Sequence, residues 1–177
     1  EDLPTATVTG DDDIGGAGPW SVDGSHHGTH VAGTIAALNN KNKGVVGVLP
    51  RKKVKLHIVK VFGDDGAWAY SSTLANAAKK CQAAGANVIS MSLGGTFGAA
   101  DDLDALVSDN AALAGVTVVT AAGNEGPSAY VTGSPASALR AISVGAMDAV
   151  RSFPGARVVL SSGSPVRGSA KAPSARI

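Results

Sequence analysis

The fold is decided by the stretch VTVVTAAGNEG, Val116–Gly126, in which a β-branched apolar run passes directly into a turn that contains glycines. Runs of this length and composition are typical of buried strands. The stretch NVISMSLGG, Asn87–Gly95, has the same form. We therefore predict two short strands, Asn87–Ser92 and Val116–Ala121, in a parallel sheet that carries its glycine turns at the carboxyl ends.

A helical pattern separates the two strands. It predicts a helix over residues 101–114, and the residues expected on its buried face are Leu103, Leu106, Val107, Asn110, Ala111 and Ala114. Asp101, Asp102 and Asp104 fall in the first turn, where the helix dipole favours negative charge. We therefore expect these three carboxylates to lie in solvent and not to form a catalytic cluster.

The alternation of strand and helix continues upstream. A strand is predicted over Val54–Phe62, and the following helix begins with Ser72 as its cap and ends at Gly85. Its buried face is expected to hold Leu74, Ala77, Ala78, Cys81 and Ala84, so Cys81 is expected to pack rather than to react. This order predicts an α/β fold, a parallel sheet flanked by helices.

The carboxyl ends of parallel strands are where ligands bind in such folds. Both glycine turns lie at this edge, so the sequence predicts a cleft bordered by Ser92–Gly95 and Ala122–Gly126. Gly94 and Gly95 either permit close approach of a ligand to the main chain or only form the turn. The residues alone leave both interpretations open.

Composition narrows the classes of partner. The chain has 177 residues, 44% hydrophobic and 16% charged, which is typical of a soluble globular protein. A net charge of +1 gives no reason to expect a nucleic-acid partner, and no apolar run is long enough to cross a membrane. Cys81 is the only cysteine, which excludes an intrachain disulfide. We expect a monomer.

Three histidines lie within five positions, His26, His27 and His30, at the start of a helical pattern. Histidine accepts and returns protons near neutral pH, which makes it the commonest general base. The alternatives are a structural role and a zinc site. Helical zinc pairs of the zincin type use a spacing of four residues with an intervening Glu, whereas His27 and His30 are three apart with no acid between them.

Residues 27–34, HGTHVAGT, resemble the histidine signature of the subtilisin-like serine proteases, the subtilases. Val88–Gly95 is similar to the family's substrate-binding strand, and Ala121–Gly126 to the segment that bears its oxyanion asparagine. The resemblance covers about residues 25–148. It implies a truncated subtilisin-like fold and a secreted serine endopeptidase, with His27 as catalytic base and Asn124 as oxyanion donor.

The resemblance also implies how a substrate would bind. An extended peptide or protein segment would pair with two main-chain edges, residues 66–68 and 92–94, and Tyr70 would border a distal pocket. A wall of glycine and alanine would leave the main pocket open to large apolar side chains. The residues assigned to substrate binding are Gly66, Ala67, Trp68, Tyr70, Ser92, Leu93, Gly94, Ala121 and Gly123.

Two smaller features follow from the same resemblance. Residues 38–45, LNNKNKGV, resemble the family's calcium loop, although this one carries two lysines. Calcium would be held by Leu38, Asn40 and Val45, through main-chain carbonyls and an Asn oxygen. The peptide bond between Ser134 and Pro135 is expected to be cis, because the family often has a cis bond at this place.

The family's triad follows the chain order Asp, His, Ser. No apolar strand precedes His27, so the catalytic acid is expected before residue 1, and Asp11, Asp12 and Asp13 are interpreted as a solvated loop or as cation ligands. The nucleophile signature Gly-Thr-Ser-Met-Ala is absent, and Ala170 stands at the nucleophile's place in a faint echo of it. We predict a partial catalytic domain over residues 1–149 and an irregular tail over 150–177.

Three functions remain open. The first is a serine endopeptidase, here as a fragment that is inactive alone. The second is a pseudo-protease or other non-catalytic module that binds peptides. The third, a nucleotide-binding α/β domain, would need a turn such as Gly-x-Gly-x-x-Gly after an early strand, and the sequence has none there.

Overall fold

The computed structural model describes residues 3, 7–12, 17–39, 44–50, 54–66, 70–147, 158–159 and 165–166. The chain divides into two compact units, Glu1–Val144 and Gly145–Ile177. The elements of the first unit are β1 (Val8–Asp11), α1 (His27–Ala36), β2 (Leu56–Val59), α2 (Ser71–Ala83), β3 (Val88–Met91), α3 (Leu103–Leu113), β4 (Thr117–Ala121) and β5 (Ile142–Val144).

In the second unit, β6 (Val158–Val159) pairs antiparallel with β7 (Pro165–Val166). This pair lies inside the segment for which the sequence predicts irregular structure. The domain boundary at residues 149 and 150 stays a prediction.

The strands of the first unit form two parallel sheets. β1 pairs with β2, and β3, β4 and β5 form the second sheet in that order. In the second sheet Met91 lies opposite Thr120, so the segments that follow β3 and β4 leave the sheet side by side. The predicted parallel pairing is therefore present, although each strand is shorter than its apolar run.

The core lies between the second sheet and the helices α2 and α3. Its residues are Leu74, Ala78, Ile89, Met91, Ala111, Val116 and Val118. Because side chains alternate along a strand, Ile89 and Met91 face the helices while Val88 points to the other face. That other face is open, since Val88, Ile142 and Val144 are each more than half exposed.

The start of α2 and the buried face of α3 both differ from prediction. α2 begins at Ser71 after Tyr70, so Ser72 lies inside the helix and does not cap it. On α3, Ala111 is buried and Val107 packs against the core, as predicted, but Leu103 and Leu106 are 50% and 44% exposed, and Ala105, Ser108 and Asp109 are buried without having been predicted.

The buried side of α3 includes an acid, Asp109, which is 7% exposed. The Asp109 carboxylate accepts the main-chain N–H groups of Leu139 at 3.3 Å and Arg140 at 2.7 Å. These bonds tie α3 to the segment before β5 and give both oxygens of a buried carboxylate a main-chain donor.

Asp11 lies in a strand and not in the solvated loop that the sequence predicts for this acidic run. Asp11 ends β1, its Oδ2 lies 3.2 Å from His57 Nε2, and Thr9 Oγ1 lies 3.0 Å from His57 Nδ1. Asp12 Oδ1 accepts the main-chain N–H of Trp20 at 3.0 Å. Asp13 lies outside the described residues. The first acid of the run therefore binds an imidazole on the neighbouring strand.

Candidate active site

A pocket lies between the carboxyl ends of β2 and β3. Its volume is about 300 Å³, counting the space at its open mouth. Val61 and Phe62, which follow β2, line it together with Leu93 and Gly94, which follow β3. Tyr70, the residue before α2, borders the same space and is 82% exposed. The segments after β2 and β3, which belong to different sheets, therefore line one cleft.

His27 is the first residue of α1, and its side chain is exposed. The preceding residue, His26, has a left-handed backbone with φ of 63° and provides no side-chain cap. Among the described residues, no side chain forms a hydrogen bond with the His27 imidazole, and the main-chain N–H of His27 donates to Ser25 Oγ at 3.4 Å. The ring is thus presented to solvent at the helix entrance.

Asp23 caps this helix from outside it. Its Oδ2 accepts the main-chain N–H of Thr29 at 2.7 Å, and its Oδ1 accepts the hydroxyl of Ser25 at 3.0 Å. Partial burial acts to raise the pKa of Asp23, but the hydrogen bonds from Thr29, Ser25 and the main chain of His26 outweigh it and hold this pKa below its ordinary value. A carboxylate near the first turn also suits the helix dipole.

A second set of bonds fixes the segment before α1 to the segment after β2. Lys60 Nζ donates to Val22 O and to Asp64 Oδ1, both at 2.7 Å, and Asp64 Oδ1 also accepts the Gly24 N–H at 2.8 Å. The Lys60 side chain is only 10% exposed. Hydrogen bonds from Lys60 and Gly24 lower the pKa of Asp64. We call this group, Val22, Gly24, Lys60 and Asp64, the entrance clamp.

Gly24 is required by the entrance clamp, because a Cβ at this position would lie 2.7 Å from Asp64 Cβ. Sequence reasoning missed Asp23 and the entrance clamp. The preference for Asp near helix starts is the signal that could have found Asp23. The clamp joins residues 40 positions apart in the chain and has no local signal.

The end of β3 packs on the loop that contains Ser134. Gly95 N–H donates to Ser134 O at 3.0 Å, and a Cβ on Gly94 would lie 2.7 Å from the same oxygen. Gly94 therefore allows the segment after β3 to lie close against the main chain of the loop that contains Ser134. The Ser134–Pro135 peptide bond is cis, as the sequence predicts. Ser92, one residue after β3, is exposed at the same edge.

Asn124 lies in the turn that follows β4 and is exposed. Its main-chain N–H donates to Glu125 Oε2 at 2.8 Å, and Gly123 before it has φ of 114°, a conformation suited to glycine. Within the part of the chain that the structure describes, the side-chain amide of Asn124 forms no hydrogen bond. Ala121 ends β4, so this turn leaves the sheet beside the segment of Ser92.

A sequence model described as "Subtilase family" matches residues 5–175. The chain belongs to the subtilase family. The match extends beyond residues 25–148, which carry the motifs. It confirms the family that the histidine signature predicted.

Curated relatives agree with this assignment. The subtilase chain is 43% identical over 131 residues to Subtilisin DY of Bacillus licheniformis, an alignment that covers 73% of the chain and 46% of that relative. It is 45% identical over 128 residues to Subtilisin E of Bacillus subtilis (strain 168), covering 71% of the chain and 32% of the relative. The chain thus spans between about a third and a half of the curated relatives it matches.

Solved structures confirm the fold class. The psychrophilic subtilisin-like protease Apa1 from Pseudoalteromonas sp. AS-11 aligns with a TM-score of 0.66 at 44% identity, covering 77% of this subtilase chain and 30% of that one. Sphericase aligns with a TM-score of 0.68 at 34% identity, covering 88% and 52%. The α/β architecture with parallel strands is therefore that of a partial subtilisin-like domain.

Some residues assigned to the subtilase site lie outside the described residues, namely Ala67, Trp68 and Asn40. Gly66 stands at a turn with φ of 78°. Leu38 is half-buried and Val45 is exposed on either side of the loop expected to hold calcium. The described residues contain no group of three or more His, Cys, Asp or Glu placed to hold a metal ion. The calcium loop and the roles of the site residues stay predictions.

In the described ranges of this subtilase chain, no helix has the length and apolar character needed to cross a membrane.

Proposed function

We propose that this chain is part of a secreted serine endopeptidase, in which His27 is the general base and Asn124 the oxyanion donor. The observation that carries the proposal is the position of three features in a subtilase chain. The end of β3 and the turn after β4 leave one sheet side by side at its carboxyl edge, and the start of α1 is bonded to the segment after β2, at the carboxyl end of the other sheet. Carboxyl ends of parallel strands are where ligands bind in α/β folds.

The proposed chemistry is acyl transfer. His27 would take the proton of a serine hydroxyl as that oxygen attacks the peptide carbonyl, and would return it to the leaving amine. The side-chain amide of Asn124 would donate a hydrogen bond to the carbonyl oxygen as it gains negative charge. The Asp23 cap and the entrance clamp would hold the helix start that carries the base.

The serine and the aspartate of the triad are proposed to be absent from this chain. Asp11, the acid that ends β1, supports this because its carboxylate engages His57 and not His27. Loss of the catalytic serine of subtilisin alone lowers kcat by about 2 × 10⁶. We therefore propose that the chain by itself is nearly inert. No serine is expected to react with a fluorophosphonate probe, and stoichiometric labelling would contradict this.

The proposed ligand is an extended peptide or protein segment. Its main chain would pair with the edge Ser92–Gly94 and with residues 66–68, and one side chain would enter the pocket beside Tyr70 and Leu93. We also propose that the chain is extracellular and monomeric, with no nucleic-acid or membrane partner. Calcium is proposed as a structural ion of the loop at residues 38–45.

A peptide-binding module without catalysis is the second candidate. It is favoured by the absence, among described residues, of any carboxylate bonded to the His27 imidazole. Both candidates need a peptide groove. They differ in whether the whole gene product carries the catalytic aspartate and serine. An upstream strand that ends in Asp and a downstream Gly-Thr-Ser in the gene would support the enzyme, whereas their absence would favour the module.

The groove is tested by fluorescence anisotropy with the 177-residue chain and a labelled, end-blocked peptide in extended form. We expect saturable binding, weakened about three- to tenfold by Tyr70→Ala, because the ring borders the pocket. Tyr130→Ala is the matched control, since Tyr130 is 96% exposed and does not line the pocket. Equal losses in both variants, or no saturable binding, would refute the groove.

A further inference from the structure

Asp104 does not lie in solvent, in contrast to the prediction for the first turn of α3. Asp101 is exposed and Asp102 Oδ2 accepts the Ala99 N–H at 2.8 Å, but Asp104 is half-buried and lines the pocket between β2 and β3. Its Oδ1 is buried and has no hydrogen-bond partner among the described residues. Neither ion pair in the described ranges includes this carboxylate.

Most of the other side chains that line the pocket are apolar, and the exceptions are the hydroxyl-bearing Tyr70 and Ser71. Val61, Phe62, Leu74 and Leu93 supply aliphatic and aromatic surface around the same space. An aliphatic or aromatic wall with one carboxylate suits a side chain that has an apolar stem and a cationic end. A buried carboxylate oxygen without a partner is costly, and a charge-assisted hydrogen bond from an ammonium or guanidinium group removes that cost.

The pocket adjoins the edge proposed to bind peptide, because Leu93 and Gly94 belong to both. We infer that it is a subsite for a lysine or arginine side chain of an extended peptide bound along Ser92–Gly94. The inference rests on the proposed peptide groove and names the side chain that this groove selects. A neutral apolar side chain fills the pocket but leaves Asp104 Oδ1 unpaired, and an acidic one places like charges together.

The test uses the 177-residue chain and end-blocked alanine-based hexapeptides that carry one lysine, norleucine or glutamate at each position in turn. Norleucine matches the lysine stem without the ammonium. At the position that enters the pocket, we expect lysine to bind at least about tenfold tighter than norleucine, and glutamate to bind weakest. The preference for lysine is expected to fall as salt is added.

Three variants complete the test. Asp104→Asn, which keeps the side-chain shape, is expected to reduce lysine affinity to that of norleucine. Asp104→Leu is expected to reverse the order, so that norleucine binds tighter than lysine. Asp101→Asn is the matched control, because it removes the same charge from an exposed position near the same helix start. It is expected to leave the lysine preference unchanged.

The outcomes separate this subsite from the groove itself. If norleucine binds as well as lysine at every position of the wild-type chain, the basic subsite is wrong while the groove stands. If Asp101→Asn removes the preference as fully as Asp104→Asn does, the selection is a general charge effect and the subsite is wrong. If no hexapeptide binds, the proposed groove itself fails.

Discussion

The Asp23 carboxylate accepts the main-chain N–H of Thr29 at 2.7 Å, so a residue outside α1 caps the helix that begins at His27. The N-cap position itself, His26, provides no side-chain bond. Asp23→Ala is therefore expected to lower the free energy of unfolding by about 1 kcal/mol, as loss of a helix cap does. Urea denaturation measures this, and Asp101→Ala at an exposed site is the control. Equal losses of unfolding free energy in the two variants would show that Asp23 does not act as the cap of α1.

Stability at acid pH depends on the same carboxylate. The pKa of Asp23 in the folded chain lies below its ordinary value of 3.8. A carboxyl of this kind stabilises the fold above pH 3.8 and loses that contribution as the pH falls through the lower folded pKa. Asp23→Asn is expected to flatten the fall in stability below this pH. Denaturation midpoints of both proteins between pH 5 and about 2.5 check the result.

Two glycines near α1 should respond in opposite directions to alanine. Gly24→Ala places a Cβ 2.7 Å from Asp64 Cβ, so it should disrupt the entrance clamp and destabilise the chain by about 1–3 kcal/mol. Gly33 lies inside α1 with no atom within 4 Å of a built Cβ. Gly33→Ala should stabilise by about 0.5–1 kcal/mol, because alanine favours helices. Stabilisation by both substitutions would contradict the clamp.

Cys81 should be a slow thiol. Burial raises its pKa, and the nearby charge of Asp11 raises it further. Because the thiolate is the reactive form, alkylation by iodoacetamide at pH 8 should be slower than for free cysteine and should speed up in urea. Asp11→Asn should increase the folded-state rate by lowering the pKa of Cys81. Asp12→Asn, whose carboxylate instead binds Trp20, is the control.

The catalytic roles are tested in the full-length product of the gene that encodes this chain. If that product cleaves peptides, His27→Ala should lower kcat by about 10⁶, as loss of the triad histidine does in subtilisin. Asn124→Ala should lower kcat by about 10²–10³ with little change in KM, because the oxyanion forms only during reaction. His30→Ala, on the same helix, is the control for helix damage. A full-rate His27→Ala enzyme would assign the base to another residue.

Periodicity predicted what depends on local pattern. The buried Leu74, Ala77 and Ala78 lie on the face of α2 that the spacing indicated, and β3 and β4 lie within their apolar runs. It failed where an acid has a distant partner. The buried Asp109 accepts the main-chain N–H of Arg140 across 31 positions, and Leu103 and Leu106, predicted to be buried, are exposed.

At the candidate site, too, local motifs were predictable from the sequence and contacts between distant residues were not. His27 and Asn124 were found because they stand in recognisable motifs, and their roles stay predictions. The sequence predicts that Asp104 lies in solvent, because an acid in a first helical turn usually does. No local sequence signal indicates that the segments after β2 and β3 form a pocket beside it. The bonds of Asp64 could not be predicted either, since they need the tertiary approach of Gly24.

The entrance clamp has a mechanical consequence. Asp64 lies two residues before Gly66, at the start of the rim expected to pair with peptide, and the same carboxylate holds Gly24 ahead of the histidine helix. Lys60, whose side chain is almost buried, donates to the Asp64 carboxylate and to the main-chain oxygen of Val22. Under the proposed function, a peptide that displaces this rim would shift Asp64, and with it the hydrogen bond that holds Gly24 ahead of α1.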